Sequence, residues 1–209
     1  PADRRPVIAG GLLILDAAFA ELGLKRMLAS ENALREGVLY DIVGRGGESD
    51  PRDASILALG DRYAVDREQA TRVEQTALTL FDQVADGWQL DEDDRHGLAW
   101  AARVHEIGLA IAHSQHHQHG AYLVENSDIA GFSNTEQQFI AALVRNQRRG
   151  LHMKSIEALP DRLAGSALRC ALLLRLSVLL HRSHDGAAIP LFRLQANGEL
   201  TLRLSKQWL

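Results

Sequence analysis

The sequence predicts a mainly α-helical domain, preceded by a short α/β piece and closed by a β-hairpin. Three observations predict it. Of the 209 residues 46% are hydrophobic but only 5% are aromatic, so the core must be built from Leu, Ala, Val and Ile, a composition that leans helical. From about residue 53 to residue 183, apolar side chains recur at helical spacing between capping signals. Near the end, apolar and polar residues alternate on both sides of Asn197-Gly198, the pattern of two strands joined by a tight turn.

The α/β piece comes first. Gly10-Gly11 precedes an apolar run, Leu12 to Leu22, with helical periodicity, and Gly23 is placed to end that helix. Lys25 to Ala29 is short enough for a strand, and Ser30 and Asn32 can cap a second helix, Ala33 to Val43. Such a piece has too few strands for a sheet, so its partners are expected in an earlier part of a longer chain. The start, Pro1-Ala2-Asp3-Arg4-Arg5, is neither a signal peptide nor an initiator methionine and reads the same way. Residues 44–52, rich in glycine and polar side chains, form a linker, which divides the chain into residues 1–45 and 46–209. Helices follow near 53–62, 66–85, 91–110, 118–126, 134–149 and 161–183. Asp66 and Asn134 carry N-cap signals, and Pro160 before Asp161 starts the last helix. A lone hairpin is marginal, so the tail should pack on the helices or pair with a further strand.

Charge and cysteine bound the function. A net charge of -4 with a pI of 6.1 gives no general affinity for nucleic acid or membranes, and leaves room for a local basic patch. The single Cys170 forms no disulfide within the chain, which fits a reducing, cytoplasmic setting, and it reads as a small buried residue. Arg169 and Arg175 interrupt the most apolar run, so no membrane span is expected.

Two segments carry candidate chemistry. Val104 to His119 holds five of the nine histidines. His105 falls on an apolar face with Leu98, Ala101, Ala102 and Leu109, and reads either as a buried histidine bonded to backbone or, with Glu106, as a metal ligand. The spacing is not HExxH. His113, His116, His117 and His119 read either as a polar loop or as an anion-facing surface. The second segment carries Arg145, Arg148, Arg149 and Lys154 with no acid among them. These cations either complement a helix C-terminus or form a track for a polyanion, since guanidinium forks match phosphate oxygens. Interleaved aromatics are absent there, which argues against single-stranded nucleic acid. The six acids between Asp82 and Asp94 read as a solvated helix-loop-helix surface. Gly10-Gly11 before a helix could approach a phosphate through backbone N–H groups, and equally could be a turn. No GxSxG, P-loop or activated Cys-His pair occurs.

The strings "ALREGVLYD" (Ala33 to Asp41) and "HEIGLAIAHSQHHQHGAYLVENSDIAGF" (His105 to Phe132) lie in two longer stretches, Arg4 to Arg45 and Ala102 to Arg149. The first stretch resembles the end of the second actin-like (ribonuclease H-like) domain of the Ppx/GppA family, the exopolyphosphatases and guanosine pentaphosphate phosphohydrolases. The second resembles the helical domain that follows. The resemblance implies a parent hydrolase that removes terminal phosphate from inorganic polyphosphate, or from a guanosine pentaphosphate. It implies a magnesium ion and a catalytic carboxylate in an actin-like cleft that lies upstream. No catalytic residue, metal or cofactor is therefore expected in these residues. It also implies that Gly10 and Gly11 match the glycine pair at the base of that cleft, with Arg4 and Arg35 near phosphate or nucleotide. For Arg35, pairing with Glu31 or Glu36 is the plain alternative.

The resemblance further makes the helical domain similar to HD phosphohydrolases, whose metal ligands are a histidine, a His-Asp doublet and a distant aspartate. Those positions fall here near Gln69, on His105-Glu106 and near Val178. A valine cannot ligate a metal and glutamine replaces imidazole poorly, so the HD-like domain is expected to be a scaffold that lacks a metal. Its implied tasks are to extend a polyphosphate channel through Arg145, Arg148, Arg149, Lys154 and His113 to His119, and to form homodimer contacts. An active HD-type metallophosphohydrolase is the rival reading.

Overall fold

The computed structural model describes residues 5–26, 50–186, 189–196 and 199–205. The chain divides into two compact units, residues 1–43 and 44–209. Within the first, one helix is described, α1 (Arg5–Leu22). It begins earlier than the sequence predicts. Gly10 and Gly11 therefore sit inside the helix, where their N–H groups belong to its own hydrogen-bond ladder, rather than ahead of its first turn. Leu12, Leu13 and Ile14 are exposed. Arg4, Arg35, the expected Ala33–Val43 helix, most of the expected Lys25–Ala29 strand and most of the linker lie outside the described residues.

The second unit is helical. Its elements are α2 (Pro51–Arg62), α3 (Arg67–Trp88), α4 (Glu92–Arg103), a 3-10 turn (Ile107–Ala110), α5 (His116–Asn126), α6 (Asn134–Asn146), α7 (Met153–Glu157), α8 (Asp161–Leu180), and the strands β1 (Arg193–Ala196) and β2 (Leu200–Arg203). Asp66 caps α3 as predicted, accepting from the N–H groups of Glu68 and Gln69. The cap of α6 is Ser133 rather than Asn134. The Ser133 side chain accepts from Glu136 N–H while the Glu136 carboxylate accepts from Ser133 N–H, a reciprocal box that uses two otherwise unpaired donors. Asp91 and Asp94 build the same box on α4, which gives part of the acidic run a structural task.

One long expected helix is two elements. The 91–110 segment leaves helical geometry at Val104 and resumes as a 3-10 turn at Ile107. Gly108 permits this, because there the chain runs against the backbone of α5 and a β-carbon would lie 1.9 Å from the His116 carbonyl oxygen. The His105-Glu106 doublet thus sits in a turn at the foot of α4. The sequence also joins the end of α6 to residues 147–149, which are irregular, and overlooks the short α7.

The core is built where α3, α4, α6 and α8 meet. Val73, Ala77 and Leu80 of α3 are buried with Leu98 and Ala101 of α4, Leu143 of α6, and Cys170, Leu173 and Leu174 of α8. By length and composition alone α8 would suffice to cross a membrane, despite Arg169 and Arg175. Here it is a core helix: Arg169 donates to the backbone carbonyl of Trp88, and Arg175 to those of Asn146 and Arg149. Cys170 is fully buried, as the sequence predicts. Strands β1 and β2 pair antiparallel with Leu194 opposite Leu202, and the hairpin docks on α3, where Gln83 Oε1 accepts from Leu194 N–H at 2.7 Å. Its Asn197-Gly198 turn lies outside the described residues.

Candidate functional site

Three of the four positions at which the resemblance places HD metal ligands line one open cavity of about 780 Å³. Gln69 reaches it from the start of α3, Glu106 from the turn after α4, and Val178 from α8. His105 lies behind the wall, 1% exposed, with Nδ1 2.7 Å from the carbonyl oxygen of Ala102. That is the buried, backbone-bonded reading of this residue. Burial, reinforced by neighbouring histidines, lowers its pKa to about 4, so the ring is neutral at neutral pH.

The other lining residues give the cavity its charge. Arg148 and Arg149 come from the turn after α6, Arg175 from α8 and Arg182 from just beyond it. His113, His116 and His184 join them, and Glu106 is the one carboxylate in the lining. Arg175 is committed to the carbonyl of Asn146, at the end of α6, and to that of Arg149 in the turn that follows. Among the described residues no carboxylate forms an ion pair with Arg148, Arg149 or Arg182. A protein of net negative charge thus gathers unpaired guanidinium groups around a single hollow. Glu106 is half-buried, and burial raises its carboxyl pKa while the facing His184, Nε2 to Oε1 3.1 Å, opposes that rise. Leu109, Val178 and Leu179 supply an apolar side to the same hollow.

A divalent metal does not fit these residues. Val178 offers no donor atom. Gln69 is already engaged, donating through Nε2 to the His181 carbonyl and accepting through Oε1 from Arg72. Among the described residues no group of three His, Cys, Asp or Glu side chains is arranged to hold an ion. The guanidinium groups around the cavity would repel a cation and attract an anion.

The structure separates residues that the sequence groups together. His113 and His116 line the cavity, but His117 and His119 do not, because they fall on other sides of α5. His117 is buried with Nδ1 unpartnered, and burial lowers its pKa. Arg145 lines a separate shallow groove with Glu125 and Ser155, and Lys154 is exposed on α7. Gln147, Arg175, Arg182 and His184 belong to the cavity and escaped the sequence reading. Arg175, Val178, Leu179 and Arg182 recur at i, i+3, i+4 and i+7, a helical stripe that marks one shared face.

Comparison with known families decides the assignment. The family described as Ppx/GppA phosphatase, domain III, matches residues 52–209, and the one described as Ppx/GppA phosphatase family matches residues 1–46. This chain belongs to the Ppx/GppA phosphatase family. Two relatives named guanosine-5'-triphosphate,3'-diphosphate pyrophosphatase align with all of it, from Aeromonas hydrophila subsp. hydrophila at 36% identity and Aeromonas salmonicida at 37%. The chain spans 42% of the length of each of these relatives. In this Ppx/GppA domain III, Gln69, Glu106 and Val178 border an arginine-rich hollow.

Proposed function

We propose that this chain is the C-terminal region of a phosphohydrolase that removes a terminal phosphate from a phosphate-chain substrate, and that it binds anionic phosphate without a catalytic site of its own. The observation that carries this reading is the hollow ringed by Arg148, Arg149 and Arg182, with which no described carboxylate pairs, beside the positions at which the resemblance places HD metal ligands. Guanidinium forks match phosphate oxygens in pairs, and unpaired ones gain most from an anion. The names of the two Aeromonas relatives favour a guanosine pentaphosphate as the parent's substrate, ahead of inorganic polyphosphate. The parent's chemistry would depend on magnesium held by the actin-like cleft.

The test is to replace Arg148 and Arg149 by glutamate in the intact enzyme. The expected result is a higher KM for the phosphate-chain substrate, a weaker salt dependence of KM, and little change in kcat. An unaltered KM would remove the anion-binding role. A homodimer, read by sedimentation of the intact enzyme, remains part of the proposal.

A further inference from the structure

Five described residues other than glycine have a positive φ in the left-handed range: Ala64, Gln89, Gln115, Arg149 and His184. A β-carbon makes that conformation costly, so each instance needs something to hold it. Ala64 and Gln89 end α2 and α3, and His184 follows α8; each donates its own N–H to the backbone carbonyl three residues before it. Gln115 starts α5, and its carbonyl accepts from the N–H groups of Gln118 and His119. Arg149 is different. With φ 64° it stands three residues beyond the end of α6, and neither its N–H nor that of Gly150 makes a backbone–backbone hydrogen bond among the described residues. Gly150 beside it could take a positive φ at no steric cost, yet the left-handed backbone falls on the arginine. What holds it comes from α8. The Arg175 guanidinium donates to the Arg149 carbonyl through one nitrogen, and to the Asn146 carbonyl at 3.3 Å through another.

Neighbouring side chains point apart on a helix or a strand, yet Arg148 and Arg149 line the same cavity. A left-handed residue redirects the second side chain, which lets both guanidinium groups reach one anion. We infer that Arg149 is held in a strained conformation so that it shares a bound anion with Arg148, and that Arg175 is the positioning residue that holds it there. Arg175 also lines the cavity, but two of its nitrogens are taken by the carbonyls of Asn146 and Arg149. It therefore acts through Arg149 rather than on the anion. Strain kept at a binding residue lowers fold stability, and in return the ligand meets a backbone already set for it. The inference rests on the anion-binding reading of the same hollow, and adds how its arginines are set in place.

Calorimetric titration of the 209-residue chain with tripolyphosphate tests it. Arg149→Gly removes the guanidinium and the strain together. It is expected to raise the urea midpoint of unfolding and to weaken binding at least about tenfold, the factor that one charge-assisted hydrogen bond carries. Arg175→Met keeps the stem and removes the donors, and should weaken binding by a similar factor. In the double variant the two losses should not multiply, because Arg175 has no left-handed arginine left to hold. Losses that multiply would place Arg175 on the anion itself and overturn its positioning role. Arg175→Lys keeps the charge without the planar fork that spans two carbonyls, and should lose most of what Arg175→Met loses. Full affinity in that variant would also overturn the role, and the variant carries the test if Arg175→Met fails to fold. A lower midpoint for Arg149→Gly would overturn the strain. Unchanged binding by Arg149→Gly would overturn this inference and leave anion binding standing, whereas no binding by the wild-type chain would overturn both.

Discussion

The β-carbon that Gly108 lacks would lie 1.9 Å from the carbonyl oxygen of His116 and 2.4 Å from the amide nitrogen of Gly120. Two stretches of backbone touch there without a side chain between them. This contact holds the first turns of α5, with His116, against the turn that carries His105 and Glu106. Backbone is the neighbour on both counts, so no rotamer change can relieve an added methyl. Gly108→Ala is expected to destabilise the domain by about 3 kcal/mol, the upper part of the usual overpacking range. Urea unfolding followed by tryptophan fluorescence measures it, and a midpoint equal to wild type would refute the close approach.

His105 predicts an acid limb in stability. In the unfolded chain its pKa is near 6.5, whereas burial lowers it to about 4 in the folded chain. Between these values the unfolded chain binds a proton that the folded chain does not, so stability falls as pH drops through that window. The shift amounts to roughly 3 kcal/mol in all. Burial also lowers the pKa values of His116, His117 and His181, which adds to the same slope. Urea midpoints at pH 7 and pH 4.5 should differ in that direction, and His105→Gln should reduce the difference.

Asn146 couples stability to the arginine turn. Its side chain donates to the Ala142 carbonyl at 2.8 Å and to Ser155 Oγ at 3.0 Å, and accepts from His152 N–H at 2.6 Å. It thereby closes the turn on which Arg148 and Arg149 stand. Asn146→Ala strands these partners and is expected to cost about 2 kcal/mol. It should also weaken tripolyphosphate binding under conditions where the variant remains folded. Retained affinity would separate the turn's geometry from its charge.

Cys170 should be inert in the folded chain. It is fully buried, and burial pushes its thiol well above the usual range, so little thiolate forms at neutral pH. A thiol reagent should react only at the rate of opening, and rapid stoichiometric labelling without denaturant would contradict the packing.

Much of this was legible in the sequence, and the failures have physical causes. The capped start of α3, the start of α8 after Pro160 and the hairpin follow from local signals, since Asp66, Pro160 and strand alternation act within a few residues. Asn134 yielded its capping position to Ser133 because the reciprocal bonds with Glu136 satisfy two donors at once. The break after Arg103 was hidden, because Gly108 reads as a mild helix weakness until α5 is seen to pack against it.

For the site, the sequence determined the ingredients. The resemblance placed Gln69 and Val178 at positions where HD enzymes hold a metal, and the sequence supplied Arg148, Arg149, His113 and His116 as candidates for an anion-facing surface. Only the tertiary structure decided which of them meet. Neighbours along a chain diverge on a helix, so His117, His119 and Arg145 point away from the hollow that their neighbours line. Residues distant in sequence converge once α3, α6 and α8 pack. Gln147 entered the site only through that packing, since its position depends on a bond to His105 across 42 residues.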